Sequence, residues 1–339
     1  MNLLPDTTMS APSCAPSGVE PAKVSRHERI ANVERLRFLA ACGVVTLHTN
    51  TVFPRSFGSA GLLVLLLVLC IFVVRKPKPC ELTSLARRKA DRLLKPWLFW
   101  SVVYGGLALV KVLYEGVPFS EVFSPTMLLT GPRIHLWFLP FGFAAAMLLG
   151  LVHQRIVNVP DATTVVVAAF AGALCVFGCS FVRSNLSMGF PLVQWNFGLA
   201  AIPLGLAIGR AAALPDRKSR RNLYLLIGFL AAAACAAYVV FAGLRYGTWF
   251  DRGARDAICH AIAVAAVCAA LHWQGKLDPI SKALALSSYG IYLIHPLIVV
   301  FLSRVGVLEE RPVVLLCLVL AASILTTLAL QRTRLKQFV

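Results

Sequence analysis

The sequence predicts an all-α fold: a polytopic transmembrane helical bundle of about ten spans, with both termini on the cytoplasmic side. Three observations predict it. Of the 339 residues, 58% are hydrophobic and only 14% are charged, a balance found in membrane chains rather than soluble domains. Apolar runs, most of them 18–22 residues long, recur along nearly the whole length, and that is the length a helix needs to cross hydrocarbon. They are continuous rather than alternating, which excludes a closed β-barrel. Lys and Arg gather between the runs, 24 on the side of the N-terminus and 9 on the other. That asymmetry sets the orientation, because basic loops stay inside.

Residues 1–34 are polar and contain Pro and Ser. They lack the basic-then-apolar order of a cleavable signal, so they read as a disordered cytoplasmic tail. The membrane domain follows over 35–332, and 333–339 read as a second cytoplasmic tail. The ten spans are 36–53, 57–74, 96–114, 134–152, 162–182, 191–211, 222–243, 256–273, 284–303 and 312–330. Arg55 and Arg75 flank the second tightly, and Asp256 and His260 sit in the outer end of the eighth. The inner connection 75–95 reads RKPKPCELTSLARRKADRLLK. Its prolines break it near the membrane, and Ser84 to Leu94 can form an amphipathic, basic helix along the surface. The outer loop 115–133 holds Glu115, Glu121 and Arg133. No internal repeat and no separate soluble domain is evident.

The net charge of +18 does not point to nucleic acid. The basic residues lie in loops between apolar runs, where they suit anionic lipid headgroups. The ten cysteines form no CxxC pair and no zinc-like cluster, so they read as small hydrophobes in helices and no metal site is expected.

The chemistry-bearing residues begin with RLRFLAACGVVTLH at 35–48. Arg37 and His48 are separated by three helical turns plus roughly 20°, which puts them on one face about 16 Å apart. A cation and an imidazole on one face of a membrane helix need a cavity or partners. His48, at the outer boundary, can take a proton from a hydroxyl, or it is a helix-end histidine bonded to a carbonyl. Arg37 can grip phosphate, or it reaches for headgroups. Arg87, Arg88, Lys89, Arg92 and Lys95 act as a positive-inside signal or bind a polyanionic cytoplasmic molecule, with Arg88, Arg92 and Lys95 on one helical face. His135 lies one turn outside the belt residue Trp137 in GPRIHLWFLPFGF, where it faces only the loop or reaches the site. Ser288, Tyr292 and His295 form a polar stripe at i, i+4 and i+7, facing the bundle interior, with Pro296 permitting a kink. Asp251, Arg252, Arg255, Asp256 and His260 form a charged outer patch that reads first as a salt-bridged loop, and Asp256 and His260, at i, i+4, can alternatively pair as carboxylate and imidazole. Asn185, Gln194 and Asn196 are polar groups able to touch a sugar.

The chain resembles the acyltransferase 3 family of integral-membrane acyltransferases. ERLRFLAACGVVTLH looks like its opening helix, with ten residues between Arg37 and His48 and with Glu34 in the place of a common acidic residue. RRKADRLLKPWLFW at 87–100, HLWFLPFGF at 135–143 and SSYGIYLIHP at 287–296 are similar to further family segments, in the family's order. The loop 75–95 departs from the family in lacking its cytoplasmic Arg-x-x-Arg, for which Lys89-x-x-Arg92 and Arg88-x-x-x-Arg92 are the nearest spacings. The second helix, LLVLLLVLCIFVV, is also plainer than the family's.

The resemblance implies a multi-pass protein of the bacterial cytoplasmic (inner) membrane that transfers an acyl group, usually acetyl. The donor is acyl-CoA, a co-substrate rather than a resident cofactor. The acceptor is a hydroxyl of a cell-surface or lipid-linked polysaccharide. It implies His48 as the catalytic base, Arg37, Arg88, Lys89 and Arg92 as donor-phosphate ligands, and His135, Trp137, Tyr292 and His295 at the acceptor end. Expected partners are acyl-CoA, a carbohydrate and membrane lipids, without nucleic acid; a homodimer is left open. Two other classes fit ten spans with intramembrane polar residues. One is a transporter or translocase of lipid-linked sugars, which repeat halves and broken helices would favour. The other is a non-catalytic subunit that positions a glycosyltransferase.

Overall fold

The computed structural model describes residues 30–49, 54–76, 79–273, 275, 276, 278–304 and 311–339. Of the tail expected over residues 1–34, residues 1–29 lie outside them, and Ala31–Glu34 form the first turn of a helix instead. Among the described residues there are helices and turns and no strand.

Helix α1 spans Ala31–Thr46 and α2 spans Arg55–Val74. Next come α3, Leu82–Lys89, a π-helical turn at Ala90–Leu94, and α4, Lys95–Glu115. Two single-turn helices, α5 (Phe119–Val122) and α6 (Met127–Thr130), and a 3-10 turn, Ile134–Trp137, lead into α7, Phe138–Arg155. Then follow α8 (Asp161–Asn185), α9 (Leu192–Leu199), α10 (Ala201–Ala213) and α11 (Arg217–Tyr246). The remainder is α12 (Arg252–His272), α13 (Pro279–Leu302), α14 (Pro312–Gln331) and a 3-10 turn at Arg334–Phe338. Among the described residues nine helices are long and apolar enough to cross a membrane. With 16 residues, α1 is shorter.

The plain apolar helix α2 sits at the centre, packed against α1, α7, α10 and α12. Small residues make this possible. A Cβ at Gly61 would meet the Ala40 carbonyl oxygen at 2.5 Å, and one at Gly58 would meet the Gly43 carbonyl at 2.6 Å. The two backbones therefore touch directly, the usual device where lipid tails give helices no hydrophobic reason to associate. On the other side, a Cβ at Gly205 of α10 would lie 2.4 Å from the Cys70 Cβ. The second outer flank of α1 is α13, which α14 backs.

Two further features differ from the sequence reading, and a third adds to it. The helical ladder of α1 ends at Thr46. Leu47 and His48 then donate to Val44 and Val45, at 3.1 and 3.0 Å, in tighter i→i+3 bonds. The tighter winding rotates His48 to roughly 60° from Arg37 rather than roughly 20°. The basic segment is not a separate surface helix but the first turns of one that runs on to Glu115. Pro96 explains its π turn. Without an N–H, Pro96 cannot bond the Arg92 carbonyl four residues back, and the Tyr289 hydroxyl donates to that carbonyl instead, at 2.9 Å. The segment 333–339 is folded onto α4. Phe338 stacks on Phe99 with centroids 4.3 Å apart, and its carbonyl accepts from Trp100 Nε1 at 2.9 Å.

Ion pairs tie the ends of the bundle. At the end where α1 starts, Arg35 reaches Asp278 at 3.0 Å. At that same end Arg210, buried in α10, meets His153 of α7 at 2.9 Å and Asp161 of α8. At the other end Arg183 pairs with Asp256 at 3.5 Å.

Candidate active site

The end of α1, the 3-10 turn before α7 and the middle of α13 converge. They bring His48, His135 and His295 together. His48 and His295 have ring centroids 5.0 Å apart, and His135 and His295 5.9 Å. Tyr104 of α4 meets the edge of His135 at 5.1 Å, and Tyr292 lies 6.0 Å from it. The polar stripe of α13 therefore faces inward, as its spacing predicted.

His135 and His295 are buried, and His48 is half-buried. His295 Nδ1 points at the Ile291 carbonyl, 3.0 Å away. A carbonyl only accepts, so Nδ1 carries the proton and Nε2 holds the lone pair. That Nε2, and the Nε2 of His135, are buried with no hydrogen-bond partner among the described residues. Such orphaned polar atoms are costly in a dry interior and mark a site completed by something else. The hydroxyl of Tyr292 donates to the His135 carbonyl, and that of Tyr104 to the Leu293 carbonyl at 2.7 Å. These two bonds fix the 3-10 turn and α4 against α13. Tyr292 is therefore committed to holding His135, although its ring also borders the cavity.

A cavity of about 290 Å³ opens beside His48. His135, Trp137, Gln194 and Phe197 line it, together with Arg55, Arg183, Arg255 and Asp256. Its volume is near the low end for small-ligand sites, ~300 Å³. His48 makes no side-chain hydrogen bond among the described residues, so its ring nitrogens are available to whatever enters. The buried Oε1 of Gln194 also lacks a partner there. Of the other polar residues singled out, Asn196 is engaged with the Cys179 carbonyl at 2.9 Å and Asn185 with the Phe181 carbonyl at 2.8 Å.

The Asp256–His260 pair that the spacing allows is not formed. Both His260 nitrogens face backbone carbonyls, those of Asp256 and Phe197 at 2.7 and 3.0 Å. The Asp256 carboxylate turns to Arg183 on α8 instead. Periodicity within α12 could not show this, because the competing cation comes from another helix. The plain composition of α2 also hid its contribution, which comes from its first turns: Arg55 and Ser59 both line the cavity.

The residues expected to hold the donor lie away from this cavity. Arg37 does not line it; its Nη1 is 3.0 Å from Glu34, whose carboxylate is buried. Arg88 and Arg92 are exposed on the α3–α4 helix, and Lys89 is half-buried. Arg88 contacts the Cys80 sulfur at 2.8 Å. The π turn lies between Arg88 and Lys95 and shifts their register, so the single face expected from i, i+4, i+7 spacing is broken. Among the described residues no group of three His, Cys, Asp or Glu side chains is spaced to hold a metal ion.

The comparisons with known proteins agree with these segments. No curated protein and no solved structure matches the chain. The acyltransferase 3 family model, described as an acyltransferase domain, matches residues 30–332. That stretch runs from the residue before α1 to the residue after α14, and the chain belongs to the acyltransferase 3 family, as a multi-pass membrane acyltransferase.

Proposed function

We propose that the protein moves an acetyl group from cytoplasmic acetyl-CoA to a hydroxyl of a surface or lipid-linked polysaccharide, in the inner membrane of a bacterium with both termini inside. The observation that carries this reading is the pairing of His48 with His295 at the wall of a cavity. A neutral imidazole there suits proton transfer from an alcohol.

In the reaction, a lone-pair nitrogen of His48 takes the hydroxyl proton as the acceptor oxygen attacks the thioester carbonyl. The tetrahedral intermediate collapses with loss of the CoA thiolate, and the proton passes from His48 to that sulfur. His135 and His295 have lone-pair or N–H edges beside this path and keep the imidazole in place. Arg37 and the turn carrying Arg88, Lys89 and Arg92 act on the donor's phosphates from the N-terminal face. Glu34 orients Arg37 for that contact, since a charge-assisted bond fixes the guanidinium plane.

The test is His48→Ala, with radiolabelled acetyl transfer from acetyl-CoA to membrane glycan as the readout. The expected loss is about 10²- to 10⁴-fold, the usual contribution of a general base. Undiminished transfer at equal protein level overturns the assignment.

A further inference from the structure

The cavity beside His48 is strongly cationic. Three guanidiniums line it, those of Arg55, Arg183 and Arg255, against one carboxylate, Asp256. Arg183 and Asp256 satisfy each other at 3.5 Å. Arg255 acts on Asp256 electrostatically but is not within ion-pair distance of it. Neither Arg55 nor Arg255 has a carboxylate partner among the described residues, and both are exposed at the mouth. Arg55 also opens α2, whose N-cap Pro54 makes no side-chain capping bond. The positive end of that helix's dipole adds potential on the same side. Deeper in, the buried, unpartnered Oε1 of Gln194 can only accept a hydrogen bond. A ligand that satisfies all of these offers an anion at the mouth and a hydroxyl further in.

We propose that this cavity selects an acceptor sugar bearing an anionic group, carboxylate or phosphate, which Arg55 and Arg255 bind while Gln194 accepts from a neighbouring hydroxyl. The inference deepens the reading of His48 as the base of acyl transfer and rests on it. A guanidinium recognises either anion through paired N–H donors. The charge also raises the local concentration of such acceptors. A neutral glycan would leave two cations at the rim with nothing to bind.

The experiment uses the full chain in lipid nanodiscs and measures binding and transfer separately. The probes are trigalacturonate, its fully methyl-esterified form, maltotriose with a terminal phosphate, and maltotriose. At low ionic strength the charged member of a pair is expected to bind at least about 10-fold tighter than its neutral counterpart, and the gap is expected to shrink with added salt. A gap in the first pair alone identifies carboxylate as the group read; a gap in the second alone identifies phosphate. Arg55→Gln and Arg255→Gln are each expected to reduce the gap about 5-fold or more, whereas Arg245→Gln, an exposed residue outside the cavity, leaves it unchanged. Equal affinity for charged and neutral probes, or a gap that survives both substitutions, overturns the inference. Selective binding without consumption of acetyl-CoA thioester leaves it standing and removes the proposed acyl transfer. Transfer to neutral and acidic probes with equal kcat/KM does the reverse.

Discussion

His48 and His295 come from opposite ends of the sequence and stand with their rings 5.0 Å apart, tilted by 49°. Their helices α1 and α13 are neighbours. The bond from His295 Nδ1 to the Ile291 carbonyl fixes the tautomer of one ring and thereby what the other ring faces.

His295 is therefore a positioning residue. Replacing it by Gln is expected to lower kcat about 10²-fold, the cost of misplacing a reacting group by about 1 Å. The KM for acetyl-CoA stays unchanged and the pH–rate profile is displaced. Steady-state kinetics across pH checks this. A rise in KM with kcat preserved contradicts it.

Close packing of α1 on α2 makes Gly61 intolerant of any side chain. A Cβ there lies 2.5 Å from the Ala40 carbonyl oxygen, a backbone atom that no rotamer change can clear. Gly61→Val is expected to cost about 1–3 kcal/mol, the range for overpacking. Thermal unfolding in detergent should show a lower Tm, whereas Gly106→Ala, where nothing lies within 4 Å, should show almost none.

The buried cluster at the other end predicts a different loss. Arg210 is 5% exposed and bridges His153 and Asp161. Arg210→Met leaves both partners without their donor and is expected to destabilise by about 1–3 kcal/mol. Asp161 is about a third exposed, so water recovers part of the loss. A matched Arg210→Met, Asp161→Asn variant should be less destabilised than the sum of its parts.

Acid sensitivity is expected where α12 joins α13. The hydroxyl and N–H of Ser281, and then Arg35, hold the Asp278 carboxyl well below the usual carboxylate range. A folded pKa below the unfolded one contributes stability at neutral pH, lost as pH falls below about 4. Asp278→Asn keeps a competent helix cap but carries no charge. Stability of the wild type should approach that of Asp278→Asn below pH ~4 and exceed it at pH ~7. A pH-independent difference between the two contradicts the linkage.

Much of the bundle was legible because membrane crossing demands long apolar runs, and nearly every span read from the sequence lies within a few residues of a helix. The polar stripe of α13 was legible for a similar reason, since period 3.6 survives wherever a helix is regular. What periodicity could not carry was irregular or shared between helices. The 3-10 ending of α1 turned His48, and the π turn broke the Arg88–Lys95 face. The Arg183–Asp256 pair joins residues 73 positions apart, as does no local pattern. His135 illustrates the gap best: an apparent loop residue is buried because Tyr104 and α13 enclose it.

The Arg92 carbonyl has one further consequence. Between α3 and α4 the helix lacks one of its own bonds, and a phenol on α13 supplies it. Six residues further along that same helix stands His295. The cationic turn is therefore tied directly to the helix that carries His295, while Leu85 and Leu93 are buried beside it and Lys95 bonds Gln337 at 2.8 Å. The turn expected to meet the donor and the imidazole cluster thus share one supporting helix, α13.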